Sequence, residues 1–183
     1  MPVYRKRVKS REDDRTTGRG YIAETVDFGL VAGTGTPLTG NIYVYPVYLY
    51  AGEIITNISY ACIGAGTSVS RFELGLYDST RTRVATTGDV KAALSANTFL
   101  TSALSAAYTV PSDGIYYVAI LETHTNTAPT FQRGQVFAVS NYGAFAASPG
   151  GYITTQTDLA AGPLTFLATY GSVNVPLIWM GLS

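Results

Sequence analysis

The sequence predicts an all-β fold: one antiparallel β-sandwich of jelly-roll type with about eight or nine strands, preceded by an extended N-terminal arm. Three observations predict it. Runs of β-branched and aromatic residues recur at spacings of roughly 8–12 residues and are bounded by Gly- and Pro-containing turns. Only Asp89 to Ser95 (DVKAALS) has the look of a short helix. The chain has 183 residues, which suits a single domain with a tail.

The runs can be taken in order. Asn41 to Tyr50 (NIYVYPVYLY) is dense in β-formers, and Pro46 argues for an edge or a bulge there. In Glu53 to Ile63, Ile54, Ile58, Tyr60 and Cys62 share one parity, interrupted by Thr56, and Asn57, Ser59 and Ala61 share the other. That alternation predicts a half-buried strand with a polar outer face. In Arg71 to Tyr77, Phe72, Leu74 and Leu76 oppose Arg71, Glu73 and Gly75. The turn Asp78-Ser79-Thr80 leads to a strand over Arg83 to Thr87. Thr98 to Leu104 and Tyr108 to Val110 are shorter candidates. Pro111-Ser112-Asp113-Gly114 is a turn, because proline presets φ and glycine closes at low steric cost. Ile115 to Glu122 (IYYVAILE) is the most apolar run and is expected at the centre of a sheet. Phe131 to Ser140, Leu164 to Tyr170 and Val173 to Leu182 complete the set, while Gly33 to Gly40 and Ala146 to Gly151 read as loops.

Charge divides the chain. Its formal net charge is zero, and only 13% of residues are charged, about half the usual quarter. Residues 1–19 carry seven basic and three acidic residues, a balance of +4, which leaves five basic against nine acidic, or −4, for the rest. Residues 1–20 are therefore read as a basic arm and 21–183 as the sandwich domain. A body so poor in charge must show Thr, Ser, Asn, Gly and Ala at its surface, or be covered by neighbours. The N-terminal charges run into Thr16-Thr17-Gly18 without the apolar stretch of a secretory signal, and no run is long enough for a membrane helix. The expectation is a soluble chain made in a reducing compartment, which one cysteine also suits.

The arm, with Tyr4, Arg5, Lys6, Arg7, Lys9, Arg11 and Arg15, reads as a solvated tail, a nucleic-acid arm or a docking arm for a partner protein. Glu12, Asp13 and Asp14 partly cancel its charge and weigh against nucleic acid.

Little in the chain suggests chemistry. His124 stands alone, two residues after Glu122, so the two could share a strand face. No serine nucleophile motif accompanies it, and a single histidine beside Thr and Asn in a strand-to-loop segment reads as a polar residue at the surface, not a catalytic one. Cys62 lies on the apolar parity of its run and reads as a small buried hydrophobe. The carboxylates are scattered at turns without calcium-loop spacing, so neither metal nor cofactor is expected. Tyrosine is the unusual residue, with fourteen copies. Most are expected in cores and cross-strand pairs, and Tyr43, Tyr45, Tyr48 and Trp179 are the candidates for a subunit interface or glycan-stacking surface.

Three segments carry a resemblance. Tyr50-Ala51-Gly52-Glu53-Ile54-Ile55, Leu74-Gly75-Leu76-Tyr77-Asp78-Ser79 and Tyr108 to Ala119 (YTVPSDGIYYVA) together resemble β-sandwich modules of tailed-bacteriophage structural proteins. Such modules occur in minor tail proteins, fibre tips and head fibre or decoration proteins. The resemblance spans roughly residues 40–121, treats the second and third segments as hairpins, and carries over no catalytic residue. It implies a non-enzymatic virion component, made in the bacterial cytoplasm and oligomeric, often trimeric. Its arm would dock on a major capsid or tail protein. The alternative it leaves open is a receptor- or carbohydrate-binding tail module that takes a host surface glycan.

Overall fold

A computed structural model describes residues 20–25, 31–134, 151–154, 156–164, 168–169 and 177–183. Two six-stranded antiparallel sheets pack face to face, so the fold is the β-sandwich that the sequence predicts. In chain order the strands are β1 (Ala23–Glu24), β2 (Val31–Gly35), β3 (Asn41–Leu49), β4 (Ile54–Gly64), β5 (Thr67–Tyr77), β6 (Arg83–Asp89), β7 (Thr98–Thr109), β8 (Gly114–Thr127), β9 (Thr130–Gly134), β10 (Gly151–Ile153), β11 (Ala168–Thr169) and β12 (Met180–Leu182). The first sheet runs β1-β12-β4-β9-β2, with β7 on the other side of β4. The second runs β11-β10-β3-β8-β5-β6. β8 is central, as its composition predicts. Asp89 to Ser95 forms only a single 3-10 turn, Lys91–Ala93, whose first amide is accepted by Asp89 Oδ1 at 3.1 Å and which ends as the chain turns away at Leu94.

Successive strands alternate between the sheets from β3 to β9, and only β5 and β6 form a hairpin within one sheet. This corrects the reading of Tyr108 to Ala119 as a hairpin. β7 pairs with β4 while β8 pairs with β3 and β5, so the turn at Pro111 to Asp113 crosses from one sheet to the other. Leu74 to Ser79 does enter a true hairpin, with Gly75 opposite Thr86 and Tyr77 opposite Arg83.

The expected parity of β4 holds only in its second half, and the expected half-burial does not hold there, because Ser59 and Ala61 on the opposite face are buried as well. Ile58, Tyr60 and Cys62 are buried between the sheets, but Ile54 is 54% exposed and Ile55 is buried in its place. The ladder to β7 slips between Ile55 and Asn57. The amides of Thr56 and Asn57 both donate to the Ser183 carbonyl, each at 2.7 Å. Two donors on one acceptor mark a β-bulge, and the extra residue exchanges the faces of everything before it. Thr56, which broke the alternation in the sequence, is the inserted residue.

The core between the sheets is built on Tyr45, Leu49, Ile55, Tyr60, Phe72, Leu76, Val118, Phe131 and Met180. Phe72 and Phe131 stack at 5.2 Å, and Tyr60 leans on both. The second sheet is buried on its outer face as well. Ile42, Val44, Tyr77, Tyr117, Ala119 and Leu121 form a separate apolar cluster there with Leu159 and Leu164. Residues 156–164 thus lie across that sheet as a partial third layer. This explains why β3 and the first half of β8, Ile115 to Leu121, are almost continuously apolar: both of their faces are covered. The approach is close enough to require glycine. A Cβ on Gly75 would stand 2.7 Å from Leu159 Cδ1.

β3 also shows where its proline fits. β10 covers only Ile42 to Val44 of it, so Pro46 lies beyond β10 on a locally open edge among the described residues. The shorter candidates Thr98 to Leu104 and Tyr108 to Val110 are one strand, β7, whose outward residues include Thr101, Ala103, Ser105 and Ala107. That small, uncharged face is the surface the composition predicts.

Candidate functional site

The arm residues Tyr4, Arg5, Lys6, Arg7, Lys9, Arg11 and Arg15 lie outside the described residues, as do parts of three strand candidates, 135–140, 165–167 and 173–176. The point from which the arm departs is described. β1 pairs with β12, Ala23 opposite Leu182 and Glu24 opposite Gly181. Thr25 fixes this pairing by donating its hydroxyl to the Ile178 carbonyl at 2.8 Å and accepting from the Met180 amide at 2.9 Å.

Of the four aromatics expected at an interface or ligand surface, three are interior. Tyr43 is 2% exposed, and its hydroxyl accepts the Leu38 amide at 3.0 Å. Tyr45 lies in the core, where burial pushes its hydroxyl pKa far up against a hydrogen bond to the Ile178 backbone. Trp179 faces out from the first sheet but is fully covered: Tyr21 and Phe99 meet its ring edge-on at 5.4 and 5.2 Å. A Cβ on Gly181 would stand 2.7 Å from the Tyr21 ring, so glycine is what lets Tyr21 close over this face. Tyr48 alone of the four reaches solvent, at 44% exposure.

Tyr48 belongs to a built surface. At one end of the sandwich the loop between β3 and β4 meets the turn between β7 and β8. Gly52 N donates to Val110 O and Val110 N to Glu53 O, both at 2.8 Å. Ala51 N donates to Asp113 Oδ1 at 2.7 Å, and Tyr50 N to Glu53 Oε2 at 2.8 Å. These bonds knit the two loops into one rigid tip. On it Tyr48 and Tyr50 meet edge-to-face at 5.2 Å, beside the exposed Ile115 opposite Tyr48 in the ladder and with Ile54 on the neighbouring sheet. Among the described residues, four of the six exposed large hydrophobic residues gather at this end, which makes it the candidate surface for an interaction. Sequence reasoning singled out only Tyr48. Tyr50 shares its parity, so the pair was legible, whereas Ile54 was assigned to the interior by the parity that the bulge reverses.

At the opposite end, Glu122 and His124 do share a face. Glu122 is buried, and its Oε1 lies 2.7 Å from His124 Nδ1. Burial pushes the Glu122 carboxyl above the usual carboxylate range, although the hydrogen bond and charge of His124 pull against it. Thr39 holds the strand beside them, accepting the His124 amide at 2.9 Å and donating to the His124 carbonyl. The pair can hold and exchange a proton. Among the described residues, no hydroxyl or thiol is hydrogen-bonded to the imidazole ring.

Glu73, on the outer face under residues 156–164, is structural. It accepts from Arg71 Nε and Nη2 at 3.0 and 2.9 Å, from Thr86 Oγ1 at 2.7 Å and from the Leu159 amide at 3.2 Å. Burial alone would raise its pKa, but these donors and the Arg71 charge outweigh it and hold the carboxyl below its ordinary value. Arg83 Nη1 donates to the Leu159 carbonyl, and Tyr77 to the Ala160 carbonyl at 2.8 Å, so polar clamps flank the apolar anchors.

Cys62 is fully buried and borders a cleft of about 230 Å3 beside Asn97, Phe99 and Gln132. Burial pushes the thiol pKa up, which keeps it protonated and a poor nucleophile. Among the described residues, no three His, Cys, Asp or Glu side chains group so as to hold a metal ion, and no helix is long and apolar enough to cross a membrane. No protein-family model matches the chain, and no curated protein sequence matches it either.

Proposed function

We propose that this chain is a non-enzymatic structural component of a tailed-phage particle, held to the capsid or tail by its N-terminal arm, with the sandwich displayed as a decoration or fibre module. The observation that carries the reading is the division of the chain into a +4 arm and a sparsely charged body. The body supports it by being a filled β-sandwich with a second apolar cluster on the outer face of one sheet. The resembling segments support it too, since they supply the end of β5, the first half of β8 and the loops of one tip. On this reading the protein is made in the host cytoplasm, forms a homo-oligomer with a trimer as the expected order, and resides in the virion. Charges from Arg5, Lys6, Arg7 and Lys9 add affinity and register at the docking surface. Deleting residues 2–19 tests it. Particles assembled with the truncated chain should lack it while the body remains folded, and normal occupancy would rule the docking arm out.

A second reading, a receptor- or carbohydrate-binding tail module, is favoured by the exposed Tyr48–Tyr50 pair. It predicts that the full chain binds a host glycan on an array and that Tyr48→Ala abolishes that signal.

A further inference from the structure

We infer that the rigid tip formed by the β3–β4 loop and the β7–β8 turn is an acceptor for the basic N-terminal arm of a second copy of this chain. The inference rests on reading residues 1–20 as a docking arm and adds a second acceptor for it, available before any particle is present. Three observations converge. The tip pairs aromatic and aliphatic surface with negative charge: Tyr48, Tyr50 and Ile115 stand exposed beside Glu53 and Asp113. The third turn at this end, between β5 and β6, adds Asp78 and Arg81, so the three turns together hold three acids and one base.

The arm has the complementary order. Met1, Pro2, Val3 and Tyr4 are apolar or aromatic, and Arg5, Lys6 and Arg7 follow directly. The arm carries +4 and the rest of the chain −4, so transfer of the arm between copies neutralises both. Finally, β1 is oriented with its start toward this end. Traced from Glu24 back to Ala23, β1 advances along β12 from Gly181 to Leu182. Leu182 faces Ile58 of β4, so this direction leads to Ile54 and the tip.

The occupant suits the surface better than a bare apolar face would. Tyrosine supplies rigid contact area at low entropic cost. The loops are already hydrogen-bonded to each other, so little order remains to be imposed on the acceptor when the arm binds. Reciprocal exchange of arms is isologous and closes as a dimer, while head-to-tail exchange closes as a ring, a trimer among them.

The full-length chain tests this in two measurements. Sedimentation velocity at about 50 mM salt, well below full screening, should show an oligomer for the native chain and a monomer for Arg5→Glu/Lys6→Glu/Arg7→Glu. A monomeric native chain, or a charge-reversed variant that still assembles, overturns the inference. The charge-reversed chain, whose acceptor is then unoccupied, is titrated with a fluorescent peptide of residues 1–19. Binding should weaken about tenfold or more when Tyr48→Ser/Tyr50→Ser is added, and it should weaken further as salt rises. Asp113→Asn keeps the bond to Ala51 while removing the charge, so it serves if the tyrosine variant does not fold, and it too should weaken binding. A peptide that fails to bind, or that binds these variants equally well, refutes the acceptor site. None of these outcomes bears on incorporation into particles, which the truncation experiment reads separately.

Discussion

The partial third layer makes a prediction about coupling that can be worked through. Leu159 is 1% exposed and anchors residues 156–164 on the outer face of the second sheet. Leu159→Ala removes its side chain from that cluster, which costs about 2–5 kcal/mol for a buried leucine. A surface segment can partly collapse into the space, which places the cost in the lower half of that range. Gly75→Ala has the opposite fault. Its methyl would stand 2.7 Å from Leu159 Cδ1, with the Ala85 carbonyl and the Tyr77 ring at 3.4 Å. Overpacking of this kind costs about 1–3 kcal/mol. In the double variant the clashing Cδ1 is gone, and the new methyl occupies part of the volume that Leu159 vacates. The double variant should therefore be more stable than the sum of the single changes predicts, by about 0.5–3 kcal/mol, the usual range for residues in contact. Equilibrium urea unfolding of the four proteins, monitored by circular dichroism, gives the cycle directly. Additivity within about 0.3 kcal/mol would mean that Leu159 does not stand over Gly75, and the third layer would be wrong.

Other expectations follow from the same geometry. Ile55→Ala should cost about 2–5 kcal/mol and Ile54→Ala under about 0.5 kcal/mol. Thermal melts that reverse this order would remove the bulge at Thr56. Glu73 has a folded pKa below its unfolded value, so its stabilisation is present above the unfolded carboxylate range near about 4.3 and is lost as pH falls through the folded value. Glu73→Gln should cost about 1–3 kcal/mol at pH 7, and the gap to the native chain should close toward pH 3; a gap independent of pH would contradict it. Glu122 has the opposite sign. Its folded pKa is raised, so its contribution is present below the unfolded value and lost as pH rises through the folded one. Glu122→Gln should therefore gain stability relative to the native chain between pH 4 and pH 8, in melts read across that range. Cys62 should resist an aromatic disulfide reagent in the native state and react only as the chain unfolds, and rapid labelling of folded protein would show that the thiol is accessible.

What was legible in the sequence was local. The runs at Asn41, Arg71 and Ile115 declare strands by their β-branched and aromatic content, and the apolar density of Ile115 to Glu122 places it at a sheet centre. What was not legible depends on distant partners. β1 is two residues long and exists because it pairs with β12, more than 150 positions away. β2 (VAGTG) has two glycines among its five residues and a bulge against β9, so from Gly33 on its composition reads as a loop. The interruption at Thr56 was visible, but that it reverses the faces of Ile54 and Ile55 became clear only with Ser183 as the shared acceptor. At the site level, Glu122 and His124 share a face because residues two apart in a strand must. The tip could not be read, because its loops come from segments about sixty positions apart and join through backbone hydrogen bonds that any sequence can make. Tyr43, Tyr45 and Trp179 differ from Tyr48 in what covers them, and covering residues such as Tyr21 carry no signal in a strand pattern.

The central claim, that the arm holds the chain to another virion component, is most directly tested by lysine cross-linking and mass spectrometry on purified particles. The chain has three lysines, two in the arm, Lys6 and Lys9, and one in the body, Lys91. The account predicts cross-links from Lys6 and Lys9 to a major capsid or tail protein, and none from Lys91 to that protein. Particles that contain the chain but link Lys6 and Lys9 to no other virion protein, or particles that lack the chain altogether, would contradict it.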